Sequence, residues 1–261
     1  MMIIDTHCHA GKNWFEPIEV LIKQMELNNV DGSVLIQHNG VYNNNYLLQI
    51  SNNYPNKFKV CINLSPEDKN PLESLQNFKD QGASGLRISS NNSYKNISIN
   101  DLIKYSGKLN LIISYQGSLD FFASKKFKSL VSQNENTKIV IEHLAGIGYE
   151  YPEKIDKFNI AIESLSMQNV FIKIPGQGEY TKRPKILNEN FDLGPVPPLV
   201  DIVYKKYGSE KMMWGSDFPP CSGREGYMNT LNSIKNNKIF TSKKHIRNVI
   251  GNTAAKLWGF E

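Results

Sequence analysis

The sequence predicts a parallel (β/α)8 barrel of the TIM-barrel class, and three observations predict it. Eight short runs rich in Ile, Val and Leu recur along the chain with little strict alternation, the mark of strands buried on both faces. Stretches with apolar residues at three- and four-residue spacing lie between them, so strands alternate with helices as in βαβ units. Spread over 261 residues, about eight such units come to roughly 32 residues each, the size of a barrel repeat. An open doubly wound sheet would carry a glycine-rich turn after its first strand. Here that strand runs into His7-Cys8-His9-Ala10-Gly11, with no G-x-G-x-x-G.

Taken in order, the strands are expected at 2–5, 33–37, 59–63, 85–89, 111–115, 138–142, 170–174 and 211–215. The first helix keeps its apolar spacing from Ile18 to Met25. Another runs from Leu72 to Phe78 and stops at Gly82, a residue suited to a helix C-cap. A third covers "DLIKYSGKL" behind an N-cap candidate at Asn100. The final helix begins near Ser242. Residues 175–198 form the one long irregular stretch, rich in Pro, Gly and Asn. It follows the seventh strand, which would set it as a lid over the C-terminal mouth, the catalytic face of such barrels. No composition break marks a second domain, so residues 1–261 are expected to form a single barrel domain.

Composition excludes several classes. Hydrophobic residues make up 40% and charged residues 21%, as in an ordinary globular chain. No apolar run approaches the roughly 18 residues of a membrane span. The N-terminus shows no basic region followed by an apolar stretch, so no secretory leader is expected. Cys8, Cys61 and Cys221 are odd in number and far apart, which argues against a disulfide framework or a cysteine zinc ribbon and fits a reducing cytoplasm. The net charge of +5 is dispersed. The densest basic patches, around Lys125 and Lys243, read as helix surface without the interleaved aromatics of a nucleic-acid site. The expectation is a cytoplasmic protein, monomer or small homo-oligomer, whose partner is a small molecule rather than nucleic acid or membrane.

The strongest chemical signal is His7-Cys8-His9. Side chains alternate along a strand, so His7 and His9 share one face and Cys8 takes the other. Inside a barrel, two imidazoles on one face can grip a divalent metal. Left as structural residues, they would need other polar partners. Asp217 arrives as the last strand ends, where a carboxylate can ligate a metal or take a proton from water; it could equally start a turn before Pro219. His143 also stands at a strand end. A neutral imidazole there could polarise a carbonyl and a charged one could stabilise an oxyanion; a core histidine with a hydrogen bond is the plainer alternative.

Read in order, "IIDTHCHAG", "VLIQHNGVYNNNYLL", "GASGLRI", "IEHLAG", "NVFIKIPG", "MMWGSDFPP" with "GREGY", and "IRNVIGNTAAKLWGF" span essentially the whole chain. Together they resemble the amidohydrolase superfamily, in particular the amidohydrolase-2 branch that holds fuconolactonase-like enzymes and the 2-pyrone-4,6-dicarboxylate and sulfomuconolactone hydrolases. The resemblance implies a (β/α)8 barrel with His7 and His9 on strand one, His143 on strand six and Asp217 on strand eight. The sequence departs from the wider superfamily on strand five, where Tyr115 and Gln116 stand in place of a metal-ligating histidine. Arg87 lies where a bridging carboxylated lysine would close strand four. A two-metal site is therefore not expected. What the resemblance leaves is one divalent metal, zinc or manganese, on His7, His9 and Asp217 with His143 as a further candidate ligand, or the metal-free chemistry understood for the pyrone-dicarboxylate hydrolases.

Substrate contacts are expected from Gln37 and His38 after strand two, Arg87 on strand four, Gln116 on strand five, Lys173 on strand seven, Arg183 in the long loop, and Arg224 and Tyr227 after strand eight. Cations around one mouth suit an anionic substrate, since guanidinium binds carboxylate through a fork of two hydrogen bonds. Any single one of them could instead be a solvated loop residue. Lys173 is the least comfortable on a surface, because Ile172 and Ile174 flank it; facing inward it needs a carboxylate or a substrate. The leading expectation is a hydrolase opening a small anionic or sugar-acid lactone. Asp217 would act as base and His143 as oxyanion support. The rivals are a metal-dependent decarboxylase, a TatD-like nuclease and a non-catalytic barrel.

Overall fold

The computed structural model describes residues 2–182, 193 and 195–261. Eight strands lie side by side in chain order: β1 (Ile4–Cys8), β2 (Gly32–Ile36), β3 (Phe58–Ile62), β4 (Gly85–Ser89), β5 (Ile112–Gln116), β6 (Ile139–Ile141), β7 (Val170–Ile174) and β8 (Met212–Trp214). Each neighbouring pair is parallel. The sheet comes round on itself just past β8. Asp217 N donates to His7 O and His9 N to Phe218 O, both at 2.8 Å. Thr6 Oγ1 donates to the Trp214 carbonyl at 2.6 Å. The expected strands match at β4 and β7 to the residue. The largest departure is β1, which starts two residues later than expected and continues through His7 to Cys8. Polar residues there interrupt the apolar run without interrupting the ladder.

A helix follows every strand: α1 (Ile18–Asn28), α2 (Asn45–Asn53), α3 (Pro71–Asp80), α4 (Ile99–Lys108), α5 (Lys125–Ser132), α6 (Ile155–Ala161), α7 (Leu199–Tyr207) and α8 (Tyr227–Lys235). The cap of α4 is Ser98 rather than Asn100: Ser98 Oγ accepts from Asp101 N at 3.0 Å. A serine in the extended conformation just outside the helix is the usual geometry for satisfying an orphan first-turn N–H. Ser242 does the same for the C-terminal helix, accepting from His245 N at 3.3 Å. None of the described helices is long and apolar enough to cross a membrane.

Two apolar layers hold the barrel. The outer one packs Leu35, Val60, Leu86, Ile113 and Ile172 of the strands against Leu21, Met25, Leu75 and Leu102 of the helices. The inner one fills the lower barrel with Ile4, Val34, Ile36, Cys61, Val140 and Met213, plugged by Trp258 and Phe260. Fully burying one such side chain stabilises by about 1.5–3 kcal/mol. Toward the C-terminal ends of the strands the interior turns polar, with Arg87, Glu142, Lys173 and His7 all buried. The change from apolar to polar along the barrel axis gathers the buried charged side chains toward the mouth.

Gly251 lies in a π-turn of the C-terminal helix, where a Cβ would overlap the Met2 carbonyl oxygen. Gly251→Ala is expected to cost roughly 1–3 kcal/mol by forcing the backbone apart. A thermal melt lowered by only a degree or less would contradict that packing.

Candidate active site

The barrel mouth is built first by a bulge. Between Asp5 and Cys8 the register of β1 against β2 slips, so that Asp5 faces Ser33 while Cys8 faces Leu35. An extra residue in one strand re-aims the side chains after it. Ile4 points into the lower barrel and Cys8 into the outer layer. His7 and His9 beyond the slip share the interior, with ring centroids 5.0 Å apart. His9 Nδ1 donates to the Ile36 carbonyl at 2.7 Å, which turns Nε2 toward the mouth. His7 Nδ1 meets the Lys173 Nζ at 3.0 Å.

Asp217 and His143 both occupy the left-handed region, at φ 58° and 51°, and Leu144 and Ala145 continue the left-handed turn. Such backbone costs of order 1–3 kcal/mol per residue and persists where the surroundings dictate it. The result is convergence. Asp217 Oδ1 stands 3.5 Å from His9 Nε2 and 3.8 Å from His7 Nε2. Asp217 Oδ2 accepts from Arg224 Nη1 at 3.1 Å. The His143 ring centroid is 4.4 Å from that of His7. His143 Nδ1 pairs with Glu179 Oε1 at 2.9 Å, and Arg224 Nη1 reaches Glu179 Oε2 at 3.4 Å.

Beneath them is a buried ionic layer. Glu142 accepts from Arg87 Nη2 at 2.8 Å, Arg87 Nε at 3.2 Å and Ser114 Oγ at 2.6 Å. Lys173 Nζ donates to Ser114 Oγ at 2.8 Å and lies 3.9 Å from Glu142 Oε1. Burial opposes the charge on Glu142, but Arg87, Lys173 and His143 outweigh it and hold the carboxyl well below the usual range. Burial, with Lys173, His143 and His9 beside it, pulls His7 far down and keeps it neutral. His143 goes the other way: burial is overcome by Glu179, Asp217 and Glu142, which raise it and favour the imidazolium. Burial of Asp217 is likewise outweighed by His9, His143 and Arg224, which pull it down to about 2. The mouth thus pairs an ionised carboxylate with a proton-bearing imidazole.

Three sets of described residues bring ligand atoms within 4.8 Å of one another. In all three a carboxylate already has a cation. Glu142 is forked by Arg87, while Glu179 and Asp217 share the Arg224 guanidinium. The set His7, His9 and Asp217 fits a divalent ion best. His7 Nε2 is buried without a hydrogen-bond partner. His9 Nε2 faces Asp217 Oδ1 at 3.5 Å, where a proton or a metal ion can lie between them. Two imidazoles and one carboxylate are also a usual ligand set for catalytic zinc.

The residues singled out in the sequence divide into three groups. His9, His38, Arg87, Gln116, His143, Asp217 and Arg224 line one cavity of about 310 Å³, with His7 buried beside it. Gln37, Lys173 and Tyr227 do not line it. The Gln37 amide is spent on the Asn43 carbonyl and the His38 N–H. Lys173 Nζ is turned to His7 Nδ1 and Ser114 Oγ below His7. Tyr227 packs edgewise on Trp214 and Phe218 in the core. Each of the three faces a partner that the local sequence did not disclose. Arg183, and residues 183–192 and 194 of the expected lid, lie outside the described residues. The sequence reading missed Glu142, Glu179, Phe15 and Asn39. Glu142 carries a signal, since period two puts it on the interior face with Val140. Glu179 carries none, because it sits on a 3-10 turn (Gln177–Glu179) beyond β7. Cys221 is buried, and burial pushes its thiol up, so it stays protonated.

Fold and site together define a barrel enzyme with a His/His/His/Asp mouth. A family model described as amidohydrolase, of the amidohydrolase-2 type, matches residues 4–260. The chain belongs to that family, and with it to the hydrolases that act on small molecules. No curated protein sequence matches it. Among solved structures, a probable 2-pyrone-4,6-dicarboxylic acid hydrolase from Acinetobacter baumannii with citric acid bound is similar at 19% identity and TM-score 0.76, covering 100% of both chains. A Burkholderia multivorans amidohydrolase with bound zinc is similar at 13% identity and TM-score 0.84, again covering 100% of both chains. A TatD homolog from Escherichia coli follows at 12% identity and TM-score 0.64, over 99% of this chain and 98% of the other. At these identities the likeness establishes the fold.

Proposed function

We propose that this protein opens a small lactone that carries carboxylate or hydroxyl groups. The observation that carries the reading is the convergence of Asp217, His143, His9 and Arg224 on one cavity of about 310 Å³, with His7 beside them. Asp217 takes a proton from the attacking water and returns it to the ring oxygen as that bond breaks. His143, held by Glu179, places its proton against the carbonyl oxygen and stabilises the charge that develops there. Arg224 lines the cavity, a cation suited to a substrate carboxylate. His7 and His9 frame the water. A divalent ion on His7, His9 and Asp217 would supply Lewis-acid polarisation and a more acidic water. Of the similar solved structures, one holds citric acid and another zinc, which supports an anionic ligand and a metal for this chain.

The test is a panel of carboxylate- and hydroxyl-bearing lactones followed by acid release at neutral pH. Steady acid release with a ring-opened hydroxy acid is expected; release of carbon dioxide from an acid substrate would replace this reading with the decarboxylase. The metal has its own test. Gently purified protein is expected to hold about one zinc or manganese per chain and to lose turnover on chelation. Undiminished lactone opening in metal-free protein would leave the electrophilic role to His143 and Arg224.

A further inference from the structure

The strands pair in chain order from β1 to β8, but among the described residues β8 and β1 share no ladder. The seam between them runs through the candidate site, with His7 and His9 on one side and Asp217 on the other. One backbone bridge spans it, Cys8 with Phe218, carried by the Asp217 N–H on the His7 carbonyl and the His9 N–H on the Phe218 carbonyl. Below that bridge, side chains take the place of a ladder. Thr6 Oγ1 donates to the Trp214 carbonyl at 2.6 Å. Ser216 N donates across the seam to Asp5 Oδ1 at 2.8 Å.

Asp5 is fully buried, and its carboxylate accepts two further bonds. Oδ1 also takes the His7 N–H at 3.2 Å, and Oδ2 takes Cys8 Sγ at 2.9 Å. The His7 bond lies within the β1 bulge, and a bulge disrupts the ladder around it. One carboxylate oxygen thus holds an N–H from each side of the seam: that of His7, and that of the residue before Asp217. A buried N–H left without an acceptor is costly, so this oxygen fixes the level at which the two segments meet. They meet closely. A Cβ on Gly215 would stand 2.8 Å from His7 Cβ, and glycine there lets the segments approach.

We infer that Asp5 is a positioning residue for the proposed reaction, its carboxylate setting how far Asp217 stands from His7 and His9. Those separations are 3.8 Å and 3.5 Å, from Asp217 Oδ1 to the two Nε2 atoms. Asp5 does not line the catalytic cavity, so it acts through the backbone on either side of the seam. A displacement of about 1 Å at reacting groups can cost roughly a hundredfold in rate. The effect on rate rests on the lactone reading; the effect on geometry does not.

Asp5→Asn and Asp5→Ala test it, because asparagine keeps an oxygen acceptor at the same reach and alanine has none. Crystal structures of the wild type and both variants measure the separation without any substrate. Asp5→Asn should keep His9 Nε2 and Asp217 Oδ1 at the wild-type distance, and Asp5→Ala should part them by about 1 Å or more. In solution the Ser216 amide of Asp5→Ala should exchange its hydrogen faster, while Leu86 in β4 stays protected. Where Asp5→Ala does not fold, Asp5→Ser takes its place, since its hydroxyl falls short of Ser216 N. On a lactone that is turned over, Asp5→Ala should lower kcat roughly a hundredfold at unchanged KM, and Asp5→Asn should stay within about tenfold of wild type. The inference is overturned if folded Asp5→Ala or Asp5→Ser keeps the wild-type separation, or if Asp5→Asn loses it as alanine does. It is also overturned if the loss falls on KM with kcat unchanged. A separation that moves as expected in a protein that opens no lactone would uphold the placement by Asp5 and remove the lactone reading instead.

Discussion

Asp217→Asn is expected to lower kcat/KM for lactone opening by roughly a thousandfold or more, the size of effect seen when a positioned general base is removed, while the protein remains folded. The side chain keeps its shape. Its backbone stays in the left-handed region at φ 58°, which asparagine tolerates better than most residues. The Asp217 N–H bond to the His7 carbonyl that closes the barrel is untouched. What disappears is the charge: the amide cannot take a proton from water, and His9 Nε2 and Arg224 Nη1 lose an anionic partner. Steady-state rates paired with circular dichroism check both halves of the statement. A fully active variant would remove Asp217 from the mechanism.

Glu142→Gln should show the largest effect on stability. Arg87 is 3% exposed and Lys173 1%, and Glu142 is the carboxylate that both face. Removing one partner of a buried ionic cluster costs about 3–5 kcal/mol, because the charges left behind stay buried without compensation. For a chain of this size each kcal/mol lowers the melting temperature by about 2–4 °C. The pH dependence follows with a definite sign. The folded-state pKa of Glu142 is depressed by Arg87, Lys173 and His143 against the opposing effect of burial. Its contribution is therefore complete above the unfolded value, and it is lost as acidification carries the pH down toward the folded one. Wild type should lose stability below about pH 5 more steeply than Glu142→Gln. Urea unfolding at neutral and acidic pH measures the difference, and equal slopes would show that Glu142 is not held as an anion.

The barrel and the core of its mouth were legible because both are written in local pattern. Apolar runs gave the strands, to the residue at β4 and β7, and period two placed His7 and His9 on one face. Strand-end position picked out His143 and Asp217. What escaped depends on contacts distant in sequence. The β1 bulge is a property of pairing with β2, so nothing in residues 4–8 alone reveals it. Lys173 was read as needing a carboxylate or a substrate; it lies 3.9 Å from Glu142 of another strand, a neighbour that no local pattern discloses. Glu179 reaches His143 across 36 residues from an irregular turn, where no periodicity constrains a side chain. Tyr227 looked like a mouth residue by its place after β8, yet a ring with Trp214 and Phe218 as neighbours is drawn into the core.

The most direct test of the central claim, that water attacks a lactone carbonyl in this cavity, is turnover of a carboxylate-bearing lactone in oxygen-18 water with mass analysis of the product. The account predicts a ring-opened hydroxy acid whose new carboxylate carries one heavy oxygen, with no labelled alcohol and no carbon dioxide. Release of carbon dioxide, or a product whose label sits on the alcohol oxygen, would contradict it.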